Sequence, residues 1–315
     1  MGFFYSQLFA RLPYPTGSYA GSNVGLGKEA ARHYVRLGAS KMILAVRNLD
    51  KGTAARDDIE SITNCAKDVI EVWQLDMSSY ASVQRFAARL SSELGRVDIF
   101  HANAGVAHVE YKLMEDNEGQ ITVKVVSTLL LAALVLPKMK ETAAKYNNRP
   151  TLTITTSETH AWTPFNERHA PEGWIYDALN EQGKKDPNRL YWPSKLLEVF
   201  GVRSIAERNL AAGCPVTVNM VKPGYCRSEL ARELDTWVVW FLNTFMARSA
   251  EYGSRTLVHA GSAGVESHGE YLSDCQIDEP SAFVRSAEGK VTQDRVWVEL
   301  MGKLEAMEPG VTRNF

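Results

Sequence analysis

Five short apolar runs, separated by longer segments with helical spacing, constrain the fold of this chain more than any other feature. KMILAV (41–46), VIEVWQL (69–75), VDIFHA (97–102), TLTITT (151–156) and VTVNMV (216–221) are rich in β-branched or aromatic residues and bounded by polar, Gly or Pro residues. Runs of this kind read as buried strands. Helical patterns fall near 25–37, 50–62, 79–94, 117–145 and 190–211, with Gly38 and Gly213 after two of them as C-cap signals. Strands that are apolar on both faces need cover on both faces. The alternation therefore predicts an α/β fold, a parallel sheet between two helical layers. Such sheets bind ligands beyond the carboxyl ends of their strands. Asp76, Asn103, Ser157 and Pro223-Gly224 stand at or just past those ends. With no repeat, low-complexity tract or linker, residues 1–315 are expected to form one domain.

Composition excludes several classes. Lys plus Arg total 35 against 37 Asp plus Glu, so bulk charge gives no reason to expect a nucleic-acid partner. Cys65, Cys214, Cys226 and Cys275 form no CxxC pair and no metal-ligand spacing, which fits reduced thiols. The opening MGFFYSQLFARLPYP lacks a charged leader and a small-residue cleavage site. The longest apolar stretch, ITVKVVSTLLLAALVLP, is interrupted by Lys124 and reads as a buried helix rather than a membrane span. The expectation is a soluble, cytoplasmic protein without membrane contact.

GSNVGLGKEAARHYVRLG carries glycines at the spacing G-x-x-x-G-x-G and opens a helix. Glycine lets backbone approach a pyrophosphate, and a helix N-terminus favours the anion. Gly21, Gly25, Leu26, Gly27 and Lys28 are the candidate contacts. After the second strand an acidic residue would hold a ribose hydroxyl, as in NAD sites. Arg47 stands there instead, and a guanidinium suits a 2′-phosphate, hence NADP.

Further on, YWPSK places Tyr191 and Lys195 four residues apart, on one helix face. A free phenol ionises near pH 10, and a nearby ammonium favours the phenolate. Ser157, in TTSETH, can hydrogen-bond a reacting oxygen as a neutral donor. A nucleotide pocket followed by an acid/base centre points to hydride transfer at a carbonyl or alcohol carbon.

In these motifs the chain resembles the short-chain dehydrogenase/reductase family over nearly its whole length. Within the family it is similar to the retinol-dehydrogenase-like branch and to fungal reductases of secondary metabolism. The resemblance implies a Rossmann-type, doubly wound parallel sheet in three α/β/α layers. The family's NAG element matches Asn103-Ala104-Gly105, its catalytic serine Ser157, its YxxxK Tyr191 and Lys195, and its PG loop Pro223-Gly224. Ser228 stands where a threonine is usual, and Asp76 where the family holds the adenine amine. The implied roles are tyrosine as acid/base, lysine as activator and ribose anchor, and serine as substrate orienter.

Two positions depart from the family. Lys124 falls where an asparagine holds a relay water; a second ammonium there would repel Lys195 and slow turnover, or would snorkel outward without effect. The first strand looks missing or replaced, because PYPTGSYA precedes Gly21 in place of a β-branched run. Either GFFYSQLF or TGSYA is recruited as a makeshift strand, or the cofactor site is weakened; poor NADP affinity and low stability are expected. Residues 161–189, with Trp162, Phe165, Trp174 and Tyr176, and the aromatic-rich 229–247 are the candidate substrate loops. The leading expectation is an NADP-dependent oxidoreductase of a lipophilic ketone, aldehyde or secondary alcohol; the sequence leaves open whether the chain forms a homo-oligomer. The alternative is a non-catalytic NADP-binding redox sensor or assembly partner.

Overall fold

The computed structural model describes residues 16–105, 110–226 and 248–315. The strands are β1 (Thr16–Ala20), β2 (Lys41–Val46), β3 (Ile70–Gln74), β4 (Ile99–Ala102), β5 (Leu113–Met114), β6 (Asn117–Glu118), β7 (Thr151–Thr155), β8 (Thr217–Lys222), β9 (Tyr271–Ser273) and β10 (Gln276–Asp278). Among the described residues, eight of them form one sheet in the order β3-β2-β1-β4-β7-β8-β9-β10, with β5 and β6 in a separate hairpin. Every neighbour in the main sheet is parallel except β10, which runs antiparallel to β9. The order turns back between β1 and β4. The crevice past their carboxyl ends is where a doubly wound sheet takes a ligand.

The longer helices are α1 (Gly25–Arg36), α2 (Leu49–Thr63), α3 (Tyr80–Glu93), α4 (Gly119–Tyr146), α5 (Ile175–Lys185), α6 (Tyr191–Arg208), α7 (Ala250–Ser262) and α8 (Ala287–Met307). They cover both faces of the sheet. Met42 and Leu44 of β2 join Tyr34, Ile59 and Val258 in one core. Ile43 and Ala45, alternating with them, join Phe86, Leu129 and Val199 in the other. That alternation is the period-two side-chain pattern of a strand buried on both sides. The helix starts are set locally: Asn48, Ser79, Ser249 and Ser286 cap α2, α3, α7 and α8 through their side chains.

The first strand is replaced rather than missing. TGSYA pairs with β2 from Thr16↔Lys41 to Ala20↔Ala45, and with β4 from Gly17↔Ile99 to Ala20↔Ala102. GFFYSQLF lies outside the described residues. A ladder needs only backbone donors and acceptors, so a five-residue run without internal proline suffices. Its start is anchored by Asp98, whose fully buried carboxylate accepts from Thr16 N–H at 2.9 Å and from Arg96 Nε at 2.8 Å. Asp98→Asn keeps the shape but turns a donor toward those donors. It is expected to destabilise the protein by about 1–3 kcal/mol, read as a lower urea midpoint at unchanged slope.

Other expectations are adjusted. Helix α6 ends at Arg208 with Asn209 as its cap, and Gly213 sits in the following turn. The insertion 161–189 is not open loop: it carries α5 between 3-10 turns at Asn166–His169 and Pro187–Leu190. Phe165 and Tyr176 belong to the core, whereas Trp162 and Trp174 are exposed. Helix α4 is long and apolar enough to cross a membrane, but it is buried in the fold and packs as a core helix. The stretch 229–247 lies outside the described residues.

Candidate active site

The glycine turn between β1 and α1 is built by close approach. Gly21 has φ +74°, and a Cβ there would lie 2.9 Å from the Ala104 Cα. A Cβ on Gly27 would lie 2.3 Å from the Gly21 carbonyl oxygen and 3.0 Å from Asn103 Nδ2. Asn103 Nδ2 donates to that same Gly21 oxygen at 3.3 Å, tying the end of β4 to the turn. The first residues of α1 have no side-chain cap and no acidic neighbour in the first turn. Ser22, within the turn, has a fully buried hydroxyl with no hydrogen-bond partner among the described residues. Uncapped N–H groups, an orphaned hydroxyl and Cβ-free backbone fit a pyrophosphate. Leu26 is half-buried against the core beneath α1.

Other candidate cofactor residues are placed unevenly. Arg47 follows β2, is exposed, and makes no ion pair among the described residues. Lys28 does not point free: its Nζ lies 2.8 Å from the Asp58 carboxylate of α2. Asp76 follows β3 and accepts from Ser78 N–H at 2.9 Å and Ser78 Oγ at 2.7 Å. Ser228 lies outside the described residues.

Ser157 follows β7 and opens a 3-10 turn (Glu158–Ala161), its Oγ accepting from Thr159 N–H at 3.3 Å. Tyr191 begins α6, half-buried, and Lys195 stands one turn on. Two bonds fasten α6 to the strand end on the chain just before Ser157. Lys195 Nζ donates to the Thr155 carbonyl at 3.0 Å, and Thr156 Oγ1 donates to the Lys195 carbonyl at 3.1 Å. The geometry thus brings Ser157, Tyr191 and Lys195 to one end of the sheet, on the side of the Asn103 strand end.

Lys124 also comes to this place. Residues Thr122–Val126 form a π turn inside α4, and Thr128 Oγ1 bonds back five residues to the Val123 carbonyl at 3.0 Å. The extra residue in the turn changes the helix phase, a feature that recurs at functional sites. Lys124 is fully buried, so the outward-snorkelling expectation does not hold. Its Nζ donates to Gln120 Oε1 at 2.9 Å and lies 3.9 Å from the Tyr191 ring centroid, nearer than Lys195 Nζ at 6.0 Å. Burial, and then the Lys195 charge, hold the Lys124 proton affinity well below that of an ordinary lysine.

Sequence reasoning passed over Glu198. Its buried carboxylate takes Lys195 Nζ at 3.0 Å on each oxygen. The i,i+3 spacing to Lys195 was a visible signal. Burial pushes the Glu198 carboxyl up, against the pull of Lys195. Among the described residues no group of His, Cys, Asp and Glu has the arrangement of a metal site. Trp162, which ends the turn that Ser157 opens, meets Trp192 edge to face at 6.0 Å. A groove of about 500 Å³ lined by Tyr111, Leu113 and Trp174 holds none of the three candidate catalytic residues.

Comparison with known proteins decides the family. A short chain dehydrogenase/reductase of Cryptosporiopsis sp., dmxR8, is 61% identical over 324 residues, covering 100% of both chains. The chain belongs to the short-chain dehydrogenase/reductase family. The family model described as short chain dehydrogenase matches residues 18–146. The short chain dehydrogenase atnD of Emericella nidulans is 44% identical, covering 86% of this chain and 90% of its own. Among solved structures, a 7α-hydroxysteroid dehydrogenase complexed with NADH and 7-oxo glycochenodeoxycholic acid superposes with a TM-score of 0.62. It is 20% identical and covers 84% of this chain and 94% of its own, which shows the shared fold of this short-chain dehydrogenase/reductase.

Proposed function

We propose that this oxidoreductase uses NADP and interconverts a lipophilic ketone or aldehyde and its alcohol, with Ser157, Tyr191 and Lys195 as catalytic residues. The observation that supports the reading is the fastening of Lys195 to Thr155 and Thr156, which holds the helix that Tyr191 begins against the turn that Ser157 opens. Gly21, Gly25, Leu26, Gly27 and the start of α1 would hold the pyrophosphate, Asp76 the adenine amine, and Arg47 the 2′-phosphate. Asn103 would close the cradle between β1 and β4, and Ser228 would lie in the segment past Pro223-Gly224. The bound nicotinamide supplies or takes up the hydride.

The remaining work falls to the chain's own groups. The Tyr191 hydroxyl gives its proton to the substrate oxygen in reduction and takes it back in oxidation. Ser157 donates a hydrogen bond to that oxygen, where negative charge develops. The Lys195 ammonium favours the phenolate left behind. The exposed Trp162–Trp192 pair, next in sequence to this centre, supports an apolar substrate. The fungal relatives support a place in secondary-metabolite biosynthesis, and a cytoplasmic location is part of the same proposal.

A panel of aromatic and polyketide-like ketones, followed by nicotinamide absorbance, tests the reading. NADPH is expected to be oxidised faster than NADH, and Arg47→Glu to cut that preference at least about tenfold, since a charged hydrogen bond is worth about 1.5–3 kcal/mol. Faster turnover with NADH in the unaltered protein would contradict the cofactor assignment. A second reading, a non-catalytic NADP-binding sensor or assembly partner, is favoured by Lys124 at the family's asparagine position. Its signature is tight NADP binding without turnover on any ketone of the panel.

A further inference from the structure

Two amines and one carboxylate share the dry space behind Tyr191. The groups facing Glu198 are Lys195 on its own helix, Lys124 from the π turn and the Thr156 hydroxyl from the strand end. Those facing Lys124 are Lys195, Glu198 and Glu118, besides the Tyr191 ring and Gln120. Lys124, Lys195, Glu118 and Glu198 are all buried. Two ammonium groups without a counter-charge would not both stay protonated there, because burial and mutual repulsion act in the same direction.

We propose that Glu198 is a positioning residue for this reaction: its carboxylate fixes the Lys195 ammonium through both oxygens and offsets the second amine that Lys124 sets against the face of Tyr191. Lys124 and Glu198 are then a compensating pair. The repulsion expected between Lys124 and Lys195 is met by a carboxylate bonded to one and facing the other. Burial lowers the proton affinity of Lys124 and raises that of Glu198, against the pull of the opposite charges beside each. Glu118, pushed up by burial, interacts with Lys124 but makes no hydrogen bond to Lys195 among the described residues.

The inference rests on the proposed activity, and four proteins test it: unaltered, Lys124→Asn, Glu198→Gln and the double variant. Glu198→Gln is expected to lower kcat about tenfold with little change in KM. Its alkaline limb, where the amine cluster loses a proton, moves at least about one pH unit lower. Lys124→Asn alone leaves that limb in place, and in the double variant it returns to within about half a unit of the unaltered protein. A limb that does not move in Glu198→Gln, or is not restored by adding Lys124→Asn, overturns the proposal. Thermal unfolding of the same four proteins needs no turnover. The double variant should melt above Glu198→Gln alone; a lower or equal melting temperature overturns the compensation even if the unaltered protein reduces no ketone.

Discussion

Tyr191→Phe is expected to lower kcat for ketone reduction by roughly 10²–10⁴-fold, the range for losing a positioned general acid. The ring stays, so its contact with Lys124 at 3.9 Å and the start of α6 stay with it. Dinucleotide affinity should therefore change less than about threefold, because the glycine turn is built from other residues. Stopped-flow single-turnover rates separate the chemical step from product release. A variant that turns over at the unaltered rate would remove Tyr191 from the chemistry and return the proton transfer to another group.

Gly27→Ala is expected to disable the other half of the site. The added methyl would meet the Gly21 carbonyl at 2.3 Å, and that oxygen is backbone, already held by Asn103. The turn must shift, at a cost of about 1–3 kcal/mol in stability, and dinucleotide affinity should fall at least about tenfold. Gly302→Ala is the control: its Cβ meets nothing within 4 Å in the exposed part of α8. There the change should be neutral or stabilise by about 0.5–1 kcal/mol. Fluorescence titration with NADPH and a urea melt of both variants check the pair of outcomes. Equal affinity in Gly27→Ala and the unaltered protein would mean that the pyrophosphate does not rest on this turn.

The sheet was legible where side chains carry the signal. KMILAV folds as the strand expected from it, and the other four runs do so to within two residues at either end, because the strands inside the sheet are buried on both faces. TGSYA was only one of two candidates, since nothing apolar marks it. Its strand character comes from two neighbours' backbone ladders and from Asp98, a residue about eighty positions away. At the proposed site, Tyr191 and Lys195 were singled out by their four-residue spacing, and Ser157 by its place past a strand end and by the family resemblance. Lys124 was half legible: its position was clear, but its direction depends on a π turn that helical periodicity does not reveal. Lys28 was expected at the cofactor, yet Asp58 of the next helix holds it, a tertiary pairing that no local pattern announces. Glu198 was overlooked because a glutamate within a helix reads as solvated until packing buries it beside Lys195.

The most direct measurement is the fate of deuterium from NADPH labelled at the nicotinamide C4 during reduction of a ketone that the protein accepts. The alcohol from the unaltered protein should carry one deuterium at the carbinol carbon, from one C4 face only, and Tyr191→Phe should form that labelled alcohol at no more than about a hundredth of the rate. Alcohol without the label, or labelled alcohol formed equally fast by Tyr191→Phe, would contradict a tyrosine-assisted transfer from a bound nicotinamide.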